Sequence, residues 1–329
     1  MLIESKHFDQ YVMVAPGSDY GIAMWSDLKK VDNVIFLDYV INTKSRLIRL
    51  CHHLHFSFGV NKKIQLPFQS IWKKKYSLEE VRISSDKKTC IIFTDVSACR
   101  TDAKYLKNLH KMNNVTMVMV LVNVMNSKNK LIANRLDCFD QIYSFDKHDC
   151  DKYGFIYHPT IYSVTRDNVD SKISESDAFF VGVSKGNRHE FLKKLYQKIH
   201  ERGGQSAFYI SGVKNNSEKL EGICYDRWLS YKNVIEHLLK TNCIVEIMGP
   251  GQSGLTLRAM EAIVYNKKLL TNNESITSLR FYNSGFIKYF ENVESVDIDF
   301  LINHSVVDYK YDGEFSPIHL LEKINEIAS

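Results

Sequence analysis

The stretch EIMGPGQSGLTLRAMEAIVYNKKLLTNN, residues 246–273, decides the fold. Residues 244–248 form a short apolar run of strand type that stops at Gly249, Pro250 and Gly251, a turn signal. Gln252, Ser253 and Gly254 follow. Leu255, Leu257, Ala259, Met260, Ile263 and Val264 then line one face of a helix. Asn266 and the pair Lys267 and Lys268 are expected to close that helix, and Leu269 with Leu270 to start another buried strand. The order is strand, glycine loop, helix, strand.

That order has a physical use. A glycine-rich loop feeding a helix N-terminus offers unpaired backbone N–H groups and a positive dipole end to an anion. Arg258 and Glu261 lie three apart and share a helix face. A cation near a phosphate and a carboxylate near a ribose diol would suit a nucleotide. The same spacing also fits an ordinary βαβ crossover with Arg258 and Glu261 as a surface ion pair. Spacing alone leaves both readings open.

The 329 residues suggest two domains of ordinary size, and 44% hydrophobic with 25% charged residues is usual for a globular chain with proper cores. No window approaches 18 uninterrupted apolar residues, so no membrane-crossing helix is expected. MLIESKHFDQ lacks a signal-peptide layout, and a cytoplasmic protein is expected. Seven cysteines without CxxC spacing point to buried, reduced thiols and to no zinc site.

Net charge is +5 but unevenly spread. No acidic residue falls between Tyr39 and Leu78, while Lys44, Arg46, Arg49, Lys62, Lys63, Lys73, Lys74 and Lys75 all do. Phe56, Phe58, Phe68, Trp72 and Tyr76 interleave with them. The segment from Lys44 to Lys75 admits three readings: a solvated helical face over aromatic core residues, a surface for anionic lipid, or a nucleic-acid site. Interfacial aromatics and juxtamembrane basic charge support the second. No RNA or DNA motif accompanies the third, and nucleic acid is not expected as a partner.

Outward from the opening stretch, helix and strand alternate. Strands are expected at 11–15, 34–37, 90–94, 115–122, 141–145, 178–183 and 206–210, and helices at 102–112, 188–202, 230–239 and 319–327. The valine-rich run 115–122 fits a central parallel strand buried on both faces. The polar, acidic run 168–177 reads as a linker. The expected class is α/β with two doubly wound domains: 1–167, then 178–304, with 305–329 a C-terminal helix able to pack back on the first domain.

The residues 252–262 with 267–273, the strand and loop from Phe179 through Gly182, Lys185, Gly186 and Arg188, and Tyr143 to Asp146 with Asp149 and Tyr153 together resemble bacterial GT-B glycosyltransferases. These are the enzymes, built of two Rossmann-like domains facing a cleft, that assemble lipopolysaccharide and capsule. The resemblance implies a transferase of hexosyl type, working without a metal or other cofactor. It would take a nucleotide-sugar donor, a UDP-sugar first, and a lipid-linked or lipopolysaccharide acceptor. It puts Glu261 on the ribose and Gly251, Gln252, Ser253 and Gly254 near the diphosphate. Arg258, Lys185 or Arg188 would neutralise the leaving phosphates, and Trp228 precedes the helix that holds the base. Many retaining relatives carry a glutamate where this chain has Ser253, so retention is not implied.

An inverting transfer also needs a base at the acceptor hydroxyl, in this architecture from the N-terminal domain. Asp19, Asp38 and Asp95 each follow an expected parallel strand, where α/β sites collect. Aspartate is equally a routine cap there. Two other classes fit the same pattern: a non-catalytic sugar-nucleotide-binding scaffold of a polysaccharide assembly complex, and a nucleotide-sugar epimerase.

Overall fold

The computed structural model describes residues 7–57, 61, 66–125, 130–165, 173–249 and 255–328. Gly251, Gln252, Ser253 and Gly254 therefore lie outside the described residues, as do Phe58, Lys62, Lys63 and residues 168–172 of the expected linker. The chain divides into two compact units, Met1–Val164 with Gly313–Ser329, and Thr165–Asp312.

The first unit is a six-stranded parallel sheet: β1 (Gln10–Val14), β2 (Val34–Leu37), β3 (Thr89–Thr94), β4 (Val115–Val120), β5 (Gln141–Ser144) and β6 (Ile156–Tyr157). The order is β2-β1-β3-β4-β5-β6. Every residue of β3 is buried, as are all but one of β4. A parallel strand covered by helices on both faces needs such an unbroken apolar run. The chain first adds β2 on one side of β1 and then β3 to β6 on the other. The order thus reverses between β1 and β3.

The last helix, Pro317–Ile327, belongs to this unit. Ser316 caps it and Pro317 starts it, a position where the missing N–H costs nothing. Leu320, Leu321 and Ile324 are fully buried. The Tyr11 hydroxyl of β1 donates to Asn325 Oδ1 at 2.6 Å, and Lys323 Nζ donates to the Tyr157 carbonyl at 2.6 Å.

The second unit is also a six-stranded parallel sheet: β7 (Ser176–Val183), β8 (Ser206–Ser211), β9 (Cys224–Tyr225), β10 (Thr241–Glu246), β11 (Lys268–Thr271) and β12 (Ile287–Tyr289). Its order is β12-β11-β10-β7-β8-β9. Numbered within the unit and read from β9, this is 3-2-1-4-5-6, the order of doubly wound dinucleotide-binding sheets. The reversal falls between β7 and β10, paired in register through Phe179 and Ile244. Both units are Rossmann-like, and the α/β class expected from the sequence is the one observed.

Two local expectations shift. The strand expected at 244–248 starts at Thr241, because the helix Tyr231–Lys240 runs into it with no intervening loop. Thr241 and Asn242 look like loop residues, yet the Ser176 hydroxyl of the paired strand donates to Thr241 Oγ1. Lys268, expected at the helix end, lies buried inside β11, with Nζ donating to the carbonyls of Phe300 and Asn303. The helix Leu257–Val264 instead closes through Tyr265 and Asn266, the latter left-handed at φ +51°. Asparagine, like glycine, adopts that conformation at low cost. Among the described residues no helix is long and apolar enough to cross a membrane.

Candidate functional site

In doubly wound sheets, ligands collect outside the carboxyl ends of the strands where the order reverses. In the second unit that place is set by the ends of β7 and β10. Arg188, first residue of the helix Arg188–Glu201, spans it. Its Nη1 donates to the Val183 carbonyl at 2.7 Å, and its Nη2 donates to the carbonyl of Ile247, just past β10. Its Nε is buried with no hydrogen-bond partner among the described residues. Burial holds the guanidinium below its ordinary pKa. Gly182 stands beneath it, where a Cβ would meet Phe180 at 3.0 Å and Arg188 Nη1 at 3.7 Å. Lys185 is exposed on the same turn. Asn187 makes no side-chain cap to the helix behind it.

The end of β10 carries a residue to which the sequence reading gave no role. Glu246, the last of the strand, is buried and accepts the hydroxyls of Thr256 and Thr271. Thr256 is the N-cap of the helix Leu257–Val264, its Oγ1 also accepting from the Ala259 N–H at 3.2 Å. Thr271 ends β11, its Oγ1 accepting from Asn273 N–H at 3.0 Å. Each hydroxyl oxygen takes an N–H, so its one hydrogen is turned to the carboxylate. Glu246 thus fastens two strand ends to the helix that follows the glycine loop. Met248 is held as well, its N–H donating to Asn272 Oδ1 at 2.7 Å.

Below this lies the second carboxylate. Glu261 has no exposed surface; it accepts from Arg258 Nη1 and from the Tyr231 hydroxyl at 3.1 Å. Tyr231 opens the helix Tyr231–Lys240, which Ser230 caps. The Arg258–Glu261 pair is therefore buried on its acidic side, and the surface ion pair that spacing also allowed is not what forms. Burial pushes both carboxyls above their ordinary range. At Glu261 the Arg258 charge opposes that shift and neighbouring Glu246 adds to it. At Glu246 the two threonine bonds and then Arg258 oppose it. Two buried carboxylates and one part-exposed guanidinium act on one another here, an arrangement seldom kept for stability alone.

Trp228 follows β9 and is 91% exposed, at the same end of the sheet as the other donor candidates. The structure therefore collects Gly182, Lys185, Arg188, Trp228, Arg258 and Glu261 in one unit. A cavity of about 570 Å³ opens at the other end of β10, lined by Lys240, Thr241, Asn242, Lys267 and His304, and includes none of them.

In the first unit, Asp19, Asp38 and Asp95 follow β1, β2 and β3, neighbours in the sheet. Their surroundings differ. Asp19 is exposed in the first turn of the short helix Asp19–Ala23. Asp38 pairs with Lys29 at 2.6 Å. Asp95 is buried, with Oδ1 accepting from Val122 N–H at 3.2 Å and Oδ2 from Asn123 Nδ2 at 2.9 Å. Burial raises its pKa. Its carboxylate fastens the loop after β4.

Among the residues the sequence reading missed, Thr256 had a visible signal, a threonine directly before an apolar helical face. Glu246 and Thr271 had none, since nothing local marks a strand-end side chain as inward.

Two Rossmann-like units in one chain define the class, the α/β fold of GT-B proteins. No protein-family model matches the chain, and no curated protein matches it. Solved structures do. One described as a "putative UDP-N-acetylglucosamine 2-epimerase from Listeria monocytogenes" is 10% identical, covers 97% of this chain and 96% of its own, and gives a TM-score of 0.53. An alpha-glucosyltransferase in complex with UDP and a 13-mer DNA is 11% identical over 98% of this chain and 99% of its own, with a TM-score of 0.48. TarM is 12% identical over 79% of this chain, at 0.46, and the match spans only 57% of TarM's length. At these identities the likeness is one of fold, and the first of the three carries it.

Proposed function

We propose that this protein is a glycosyltransferase of hexosyl type that moves a sugar from a nucleotide-sugar donor, a UDP-sugar first, to a growing surface polysaccharide or lipopolysaccharide acceptor. The observation that carries the reading is the group of buried Glu246 and Glu261 with Arg258, which sits at and after the end of the central strand β10, at the reversal point of a dinucleotide-type sheet.

In this reading the second unit holds the donor. Gly251, Gln252, Ser253 and Gly254, outside the described residues, are assigned to the diphosphate, ahead of the dipole of the following helix. Lys185, Arg188 and Arg258 supply the positive charge that a metal supplies in other transferases, stabilising the leaving nucleotide as charge builds on its phosphate. The ribose side is assigned to Glu261, whose carboxylate this structure encloses with Arg258 and Tyr231, and the base side to Trp228. The first unit carries the acceptor side. Of its three aspartates, Asp19 is exposed, whereas Asp38 is paired with Lys29 and Asp95 is enclosed. Asp19 is therefore the proposed base.

A thermal-shift panel of UDP-, GDP-, dTDP- and CMP-sugars tests the donor. A ligand at 100 times its dissociation constant adds about 2.7 kcal/mol to stability. One nucleotide class should shift the melt, and Glu261→Gln, which keeps shape and an acceptor for Tyr231, should abolish the shift while remaining folded. No shift from any nucleotide would remove the proposal. Asp19→Asn should keep the shift and lose transfer. Epimerisation of the donor without acceptor would replace transfer as the reaction.

A further inference from the structure

The helix Arg46–His55 packs the wrong way round for an ordinary surface helix. Its inward side is His52, the part-buried Ile48 and the C-cap Phe56, set against Trp72 and Tyr76. Trp72 Nε1 donates to His55 Nδ1 at 3.0 Å, tying the helix to the turn Gln69–Lys75. Its outward side carries leucines. Leu47, Leu50 and Leu54, at positions i, i+3 and i+7, are 68%, 53% and 52% exposed, and Cys51 between them is exposed too. That spacing forms one continuous apolar stripe. The adjoining turn adds Phe68 and Ile71, 77% and 65% exposed. Phe68 sits in the left-handed region at φ +62°, a conformation a bulky residue keeps only where its surroundings impose it. Scattered apolar residues need no explanation, but a stripe of this kind on a helix does.

Its borders are basic. Lys44, Arg46 and Arg49 stand at the helix start and Lys73, Lys74 and Lys75 in the turn, with no acidic residue anywhere between Tyr39 and Leu78. Arg49 is steadied by its Nε bond to the Thr43 carbonyl and by the Tyr39 ring 5.1 Å away. A symmetric contact with a second copy would set these like charges against each other. An anionic bilayer is complementary to both features: headgroups to the lysines and arginines, acyl chains to the leucines.

We propose that the helix Arg46–His55 and the turn Gln69–Lys75 form a docking surface for an anionic membrane, with Leu47, Leu50 and Leu54 inserted below the headgroups. This surface stands independently of the donor site, so either can fail without the other. Flotation of the full chain with vesicles of phosphatidylglycerol and phosphatidylcholine, against phosphatidylcholine alone, tests it. Binding should require the anionic lipid and weaken with salt. Replacing Lys73, Lys74 and Lys75 by glutamine should lower partitioning about 100-fold, from about fivefold per charge. Leu47→Ser with Leu50→Ser and Leu54→Ser should lower it at least as far, since each fully inserted leucine is worth about tenfold or more. Because these side chains are exposed, both triple variants should keep the wild-type melting temperature. Absence of binding to anionic vesicles would overturn the proposal. So would binding lost with the lysines but untouched by the leucines, which would mean charge without insertion. A dimer dissolved by the leucine changes, with no vesicle binding, would assign the face to a second copy instead.

Discussion

Glu246 and Glu261 lie where burial raises both carboxyls above their ordinary range, and stability should record it. For a carboxyl raised above its unfolded value, the folded state binds the proton more tightly than the unfolded chain. The associated stability is full below the unfolded value, 4.5, and is lost as pH rises through the folded one. Glu246→Gln removes one titrating partner. Urea unfolding across the range from pH 5 to 8 should then show a flatter fall of stability with pH than in wild type, and an unchanged slope would mean Glu246 is already ionised throughout. Arg258 acts in the opposite sense. Arg258→Met leaves Glu261 without its cation in a fully buried position and should cost about 3–5 kcal/mol. Adding Glu261→Gln should recover part of that loss, because the uncompensated charge goes with it. A double-mutant cycle by denaturant titration measures the difference.

At the scale of elements, the helix Leu257–Val264 hangs on one hydroxyl. Thr256 caps the helix and donates to Glu246 in the same geometry. Thr256→Ala should lose about 1 kcal/mol from the cap. It should lose a further 1–3 kcal/mol from the acceptor left half-satisfied in the interior. Thr256→Ser should stay near wild type by the same denaturation measurement, and should keep the donor-induced shift that alanine weakens. This element also shows what could be read from the chain. β3, β4 and β7 were legible because strands covered on both faces must be continuous apolar runs. The helix after β10 was legible from its helical spacing. β6 and β9, of two residues each, and β12, of three, carry too little pattern to mark. Lys268 misled because a lysine reads as solvent-facing. Its stem lies in β11, and its ammonium is satisfied by carbonyls of a segment more than thirty residues away. Glu246 was hidden for the same reason, since its partners come from Thr256 and Thr271, far along the chain. The described donor candidates all fall in the second unit, on the loops and helices that follow its strands. The burial of Glu261 and Asp95 could not be read from spacing.

For the whole molecule, chain connectivity makes the two units unequal. The second is one continuous run, Thr165–Asp312, whereas the first needs Gly313–Ser329 to return after the second is complete. The helix Pro317–Ile327 brings three fully buried side chains, Leu320, Leu321 and Ile324. At about 1.5–3 kcal/mol each, their burial is worth about 5–9 kcal/mol, comparable to the whole net stability of a domain, commonly about 5–15 kcal/mol. The helix also supplies Asn325 to the Tyr11 hydroxyl and Lys323 to the Tyr157 carbonyl. Ending the chain at Asp312 should therefore unfold the first unit and spare the second. Calorimetry of the shortened chain should show one transition in place of the intact protein's two, and that transition should still rise with the nucleotide that shifts the intact protein. A synthetic peptide of residues 313–329 supplied in excess should restore the missing transition, since it binds only the folded first unit and so stabilises it by mass action. If the shortened chain kept both transitions, the helix would be an appendage; if it kept neither, the second unit could not stand alone and the donor site would depend on the first.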